Sequence, residues 1–192
     1  MNYMIALGSN RSKEHLSTYD ILSYAIWLLG GRAMKVSAQS DFYATPAVPQ
    51  GAGPDYLRVA VKAQSDMDPQ GVASALRQVE AALNGDTKTS GAGSGDVLVA
   101  DMLACGERVL PNPFDFRRRL QNPSALADDL VLPHPELHAS AAFLTLLMDI
   151  APDWTHPVFA RSVREMHAAL PAHAFDGIAP NDGVRDERDV AE

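Results

Sequence analysis

Cysteine occurs once in this 192-residue chain, at Cys105, which excludes an internal disulfide and any zinc site built from several thiolates. Positive charge is scarce as well. Sixteen Lys and Arg stand against 24 Asp and Glu, a net charge of −8. A nucleic acid or an anionic membrane surface needs a basic footprint, so neither is an expected partner. Long apolar runs are absent too. The longest candidate, residues 141–151, is far below membrane-spanning length and contains Asp149. Residues 1–7 are too short and too uncharged for a signal peptide, so cytoplasm is the expected compartment.

What the chain does have is apolar content. At 46% hydrophobic it can bury a real core, and its length suits one domain with additions. Residues 3–7 read as a buried strand closed by Gly8. Residues 14–29 read as a helix, with Leu16, Tyr19, Ile21, Leu22, Ile26 and Leu29 on a broad apolar face and Gly30-Gly31 as a stop. Residues 34–38 form a second expected strand, running on into Phe42-Tyr43. Three prolines and two glycines make residues 45–54 a loop.

Residues 56–63 alternate Leu57, Val59 and Val61 against Arg58 and Lys62, the pattern of a half-buried strand. Asp68-Pro69 starts a helix, the carboxylate as N-cap and the proline in the first turn. Its apolar face is Val72, Leu76, Val79 and Leu83, and Gly85 ends it. Residues 97–103 are expected as a central strand, and residues 136–150 and 158–170 as two further helices. Residues 180–192 are rich in charge and poor in large apolar side chains, a disordered acidic tail by composition. The order strand, helix, strand, strand, helix, strand, then helices predicts an α+β fold of the ferredoxin-like, split βαβ type over residues 1–179.

Several groups are candidates for chemistry. Residues 84–106 carry one cation, Lys88, against Asp86, Asp96 and Asp101, and no arginine or tryptophan. Glycines 91, 93 and 95 invite a comparison with phosphate cradles. Lys88-Thr89 precede them instead of following, so this is not a Walker loop, and a surface loop is the plainer reading. Asp96 and Asp101 are five residues apart and would face opposite sides of a strand. Asp101 alone reads either as a metal ligand or as a strand-end polar residue. His134 and His138 are four apart, a helical metal-pair spacing, but Pro135 puts His134 at the helix entrance. Arg117, Arg118 and Arg119 are the one cation cluster. They are either a solvated charge run or phosphate contacts.

Four pieces, in order, carry a family resemblance: Ala6-Leu7-Gly8-Ser9-Asn10, Phe42-Tyr43-Ala44-Thr45-Pro46, Gly53-Pro54-Asp55-Tyr56-Leu57 and Leu132-Pro133-His134-Pro135. From about Met4 to Asp176 the chain resembles hydroxymethyl-dihydropterin pyrophosphokinase (HPPK), a folate-pathway enzyme. The resemblance implies an HPPK-type fold and ATP-dependent pyrophosphoryl transfer to a hydroxymethyl-dihydropterin. A small-molecule pterin would be the partner, with magnesium and ATP as cofactors where the protein is active. It places Thr45, Pro46, Val48 and Tyr56 at pterin-pocket positions, where a flat ring needs stacking faces and fixed polar partners. Arg58 stands where the family has asparagine. His134 matches a nucleotide-contacting histidine.

The same resemblance marks departures. Of the family's Asp-x-Asp magnesium pair, Asp101 takes the second place and Val99 the first. The family's arginines and tryptophan have no counterpart in residues 84–106, and Ser140 replaces a further arginine. The segment 107–131 is longer than the family's usual connection and brings in Arg117, Arg118 and Arg119. The resulting expectation is an HPPK-like protein whose transfer activity is weak or lost. Its alternative is a non-catalytic pterin-binding or regulatory relative.

Overall fold

The computed structural model describes residues 1–47, 53–85, 97–122 and 130–181. Strand β1 (Asn2–Ser9) lies inside a six-stranded antiparallel sheet, between β4 (Tyr56–Gln64) and β5 (Val99–Cys105). Both of its faces are covered. Tyr3, Ile5 and Leu7 enter one apolar cluster, and Met4 and Ala6 enter another. A strand covered on both faces must be apolar without alternation, which is why residues 3–7 read as a continuous run. Beyond β4 lie β2 (Lys35–Gln39) and β3 (Tyr43–Thr45), which pair with successive halves of β4. With helices α1 (Thr18–Gly30) and α2 (Pro69–Asn84), this is the α+β, split βαβ arrangement expected from the sequence.

The two helices cover one face of the sheet. Ile21, Leu22, Ala25 and Leu29 of α1 and Val72, Leu76, Val79 and Leu83 of α2 are buried there. Each such side chain contributes roughly 1.5–3 kcal/mol by leaving water. Asp68 caps α2 by accepting from the Gly71 amide at 2.8 Å, and Gly85, at φ 64°, ends it. The opposite face carries α4 (Ala141–Ile150) and α5 (Val163–Ala169), with Phe143, Leu144, Leu147, Val163 and Met166 in the second cluster.

Several boundaries differ from the sequence reading. α1 starts at Thr18, because Ser17 forms a reciprocal capping box with Asp20. β2 does not run on into β3. The Ser40 hydroxyl accepts from the Ala60 amide at 2.8 Å, so a side chain interrupts the ladder. Among the described residues β5 pairs with β1 alone and is an outer strand, not a central one; clusters on both of its faces give it a core-like composition. α4 starts at Ala141, since Ser140 caps it by accepting from the Phe143 amide at 3.3 Å. α5 starts at Val163, after the short hairpin of β6 (Thr155–His156) and β7 (Arg161–Ser162).

The long segment after β5 contains helix α3 (Pro113–Gln121), capped by Asn112. Its Phe116 is fully buried, edge-on to His156 and Phe159, and so docks α3 against the β6–β7 hairpin. Pro180 does not begin a tail. Ala179–Pro180, strand β8, pairs with β3, and the Asn181 amide donates to the Phe42 carbonyl at 2.8 Å. Residues 182–192 lie outside the described residues.

Candidate functional site

Register brings the candidate residues to one side of the sheet. Thr45 stands opposite Tyr56, and Arg58 stands opposite both Tyr43 and Gly8. Gly8 in turn faces Val99, while Ala6 faces Asp101 and Ala60. Directly opposed residues share a face, so Thr45, Tyr56, Arg58, Val99 and Asp101 all project to the α4 side. Residues spread over more than fifty positions of sequence therefore share one face across four adjacent strands, β3, β4, β1 and β5.

Arg58 is the centre of this surface. Its Nε donates to the Thr45 hydroxyl at 3.0 Å. Its guanidinium carbon lies 4.5 Å from the Tyr56 ring centroid and 6.0 Å from that of Phe143. Gly8 lies below it. A Cβ there would meet Arg58 Nη1 at 3.1 Å and the Tyr56 ring at 3.4 Å, so glycine is what lets the guanidinium lie against β1.

Asp101 and His134 lie beside Arg58. Burial pushes the Asp101 carboxyl above its ordinary range, and the charges of His134 and Arg58 pull it partly back. Burial lowers His134, against the opposing pull of Asp101 and Glu136. The His134 backbone is tied to β5, its amide donating to the Leu103 carbonyl at 2.8 Å. Its Nδ1 accepts from the Glu136 amide at 3.3 Å, which leaves Nε2 as the free edge of the ring. Because α4 begins at Ala141, His134 and His138 do not share a helix; the His138 Nδ1 is 3.0 Å from the Pro135 carbonyl.

A cavity of about 970 Å³ opens next to this surface, lined by Thr45, Pro46, Arg119, His134, His138 and His173 among others. A smaller one, about 260 Å³, is lined by Asp101, Arg119, His134 and Glu80. Arg119 and His134 thus border both. Arg119 Nη1 is buried without a hydrogen-bond partner, a costly arrangement for a cationic donor unless a ligand supplies the acceptor. The cluster 117–119 divides. Arg119 turns toward His134, Arg118 is exposed and pairs with Asp115 at 3.5 Å, and Arg117 is exposed. Val48, Lys88 and glycines 91, 93 and 95 lie outside the described residues.

The residues on β5 do not fit a two-magnesium centre. Asp101 has Val99 as its same-face neighbour along the strand, and a hydrocarbon cannot coordinate a hard cation. Among the described residues, no group of three His, Cys, Asp or Glu is placed to hold a metal. Two contributors to the site were not legible in the sequence. Phe143 looks like one of many apolar residues of α4, and only its position over Arg58 distinguishes it. Residues 173–178 carry no motif, yet His173, Asp176 and Ile178 close the larger cavity, and Gly177 lies so near Pro46 that a Cβ would meet its ring at 2.7 Å.

The split βαβ sheet of this α+β protein carries the Tyr56 and Phe143 rings about Arg58 and, next to them, an Arg- and His-lined cavity. The sequence model of the 7,8-dihydro-6-hydroxymethylpterin-pyrophosphokinase (HPPK) family matches residues 4–152, and the chain belongs to that family. No curated protein sequence matches it at a significant level. Among solved structures, it is similar to wild-type HPPK-DHPS of Plasmodium falciparum with pteroate, at TM-score 0.68 and 10% identity over 93% of this chain and 47% of that one. It is similar to the same wild-type protein with STZ-DHP, at TM-score 0.67 and 12% identity over 91% of this chain and 44% of that one. An HPPK-DHPS in complex with substrates matches at TM-score 0.62 and 11% identity, over 88% and 45% of the two chains. At these identities the likeness is one of fold. The chain spans less than half the length of those proteins. Among the described residues, no helix is long and apolar enough to cross a membrane.

Proposed function

We propose that this chain is a pterin-handling HPPK-family protein in which pyrophosphoryl transfer from ATP is weak or lost. The family reaction moves pyrophosphate from ATP to the hydroxymethyl group of a dihydropterin. It crowds negative charge, which metals and fixed cations must neutralise. The observation that carries the proposal is Val99 beside Asp101 on the same face of β5. One partly buried carboxylate stands where a pair is needed.

The ring side is better supported. Tyr56 offers a stacking face, Thr45 a buried hydroxyl, and Pro46 a rigid wall of the cavity. Arg119 and the free Nε2 edge of His134 are the groups suited to a phosphate. A second reading, a non-catalytic pterin-binding or regulatory relative, is favoured by the same Val99. Separate titrations with a dihydropterin and with magnesium-ATP, together with a turnover assay, divide the two. Turnover within about tenfold of a typical small kinase would overturn the proposal. Pterin binding with no turnover would support the second reading.

A further inference from the structure

We propose that Arg58 is a built-in occupant of the site's aromatic slot and so determines which rings the protein accepts. This rests on the ring-pocket reading above and adds what fills that pocket at rest. The guanidinium is flat, and its carbon lies over two aromatic rings, 4.5 Å from the Tyr56 centroid and 6.0 Å from that of Phe143. That is where a flat heteroaromatic ligand would stack on Tyr56.

Three further features hold it there. Its Nε donates to the hydroxyl of Thr45, which is 1% exposed. Gly8 leaves room for Nη1 against β1, where any side chain would crowd it. Asp101 supplies an opposite charge nearby. The neighbouring cavity of about 970 Å³ reaches Thr45, Pro46 and His134, yet Tyr56, Arg58 and Phe143 are not among its lining residues. The slot and the cavity are adjacent, and the slot is filled by the protein itself.

An incoming ring must therefore displace a stacked, hydrogen-bonded cation, or bind in the cavity without stacking. Arg58 also uses the Thr45 hydroxyl that the ring would need, and it offers only donors where an amide would offer both a donor and an acceptor. A ligand that leaves Arg58 in place is confined to the space bordered by His134, Arg119 and His138.

The test uses Arg58→Ala with two probes, 6-hydroxymethylpterin followed by fluorescence and N-ethylguanidinium followed by thermal shift. The expected result is pterin binding tighter than the parent's by roughly tenfold or more, and saturable stabilisation by N-ethylguanidinium in the variant alone. Adding Phe143→Ala should abolish both gains. If the guanidinium probe stabilises Arg58→Ala and pterin binds neither protein, the filled slot stands and the pterin reading fails. If the parent binds pterin as tightly as the variant does, or more tightly, the pterin reading stands and the proposal is overturned. If neither probe distinguishes variant from parent, the proposal is overturned too. Should Arg58→Ala fold poorly, Arg58→Asn is measured in the same way, its shorter amide leaving the slot open.

Discussion

Val99 lies two residues before Asp101 on the same face of β5, opposite Gly8 of β1, so the strand offers one carboxylate where a paired metal site needs two. Val99→Asp should create that pair. Manganese affinity, read by electron paramagnetic resonance, is expected to rise by roughly tenfold or more, since hard divalent cations gain most from added carboxylate oxygen. Without metal the variant should melt lower than the parent, because two adjacent carboxylates repel, and manganese should restore the loss. Equal manganese binding by parent and variant would show that β5 is not the metal platform.

The three consecutive arginines should not behave alike. Arg119 borders both cavities and has a buried, unpartnered Nη1, whereas Arg118 is exposed and paired with Asp115, and Arg117 is exposed. Arg119→Ala is expected to weaken pyrophosphate binding by about 1.5–3 kcal/mol, the scale of a hydrogen bond to a charged group. Arg117→Ala should change it by less than about 0.5 kcal/mol. Calorimetric titration of both variants decides the matter. Equal losses would return the cluster to a general field effect, and no loss in Arg119→Ala would remove α3 from the site.

Much of the frame was legible because its signals are local. Asp68-Pro69 and Gly85 bracket α2 through cap chemistry that needs no tertiary partner. The alternation of Leu57, Val59 and Val61 follows from one covered face and one mixed face of β4. The errors arose where a distant contact decides. β5 reads as central, but its apolar cover comes from clusters on both faces of an outer strand. The Ser40 hydroxyl breaks a strand only because the Ala60 amide reaches it from another one. At the site, Thr45, Tyr56, Asp101 and His134 came from motif order, while Phe143 depended on α4 crossing the sheet above Arg58, which no spacing announces.

Tyr56 should matter to ligand and protein alike. It is the nearer ring to the Arg58 guanidinium and the ring that a pterin would stack on. Once the slot is opened by Arg58→Ala, adding Tyr56→Ala is expected to weaken pterin binding by roughly 1–3 kcal/mol through lost aromatic contact. In the parent, Tyr56→Ala should free the guanidinium, lowering thermal stability by about 0.5–2 kcal/mol. Unchanged pterin affinity on adding Tyr56→Ala to a folded Arg58→Ala protein would remove the ring from the pocket.

His156 links the hairpin to pH. It is fully buried, with Phe116, Trp154 and Phe159 around it. Nδ1 accepts from the Val158 amide at 3.2 Å, and Nε2 has no hydrogen-bond partner. Burial, helped by the nearby charge of His138, lowers the imidazole from 6.5 to about 4. The folded protein therefore resists a proton that the unfolded chain accepts. Between these values the unfolded state binds more protons, so stability rises with pH. The contribution is complete above about pH 6.5 and is lost as the pH falls toward 4, up to about 3 kcal/mol in all. His156→Leu removes the titrating group, and its unfolding free energy should fall less steeply than the parent's over that window. Urea unfolding of both proteins at several pH values between 7.5 and 4.5, on the same buffer series, reads the difference directly. Parallel curves would assign the acid sensitivity elsewhere in the fold.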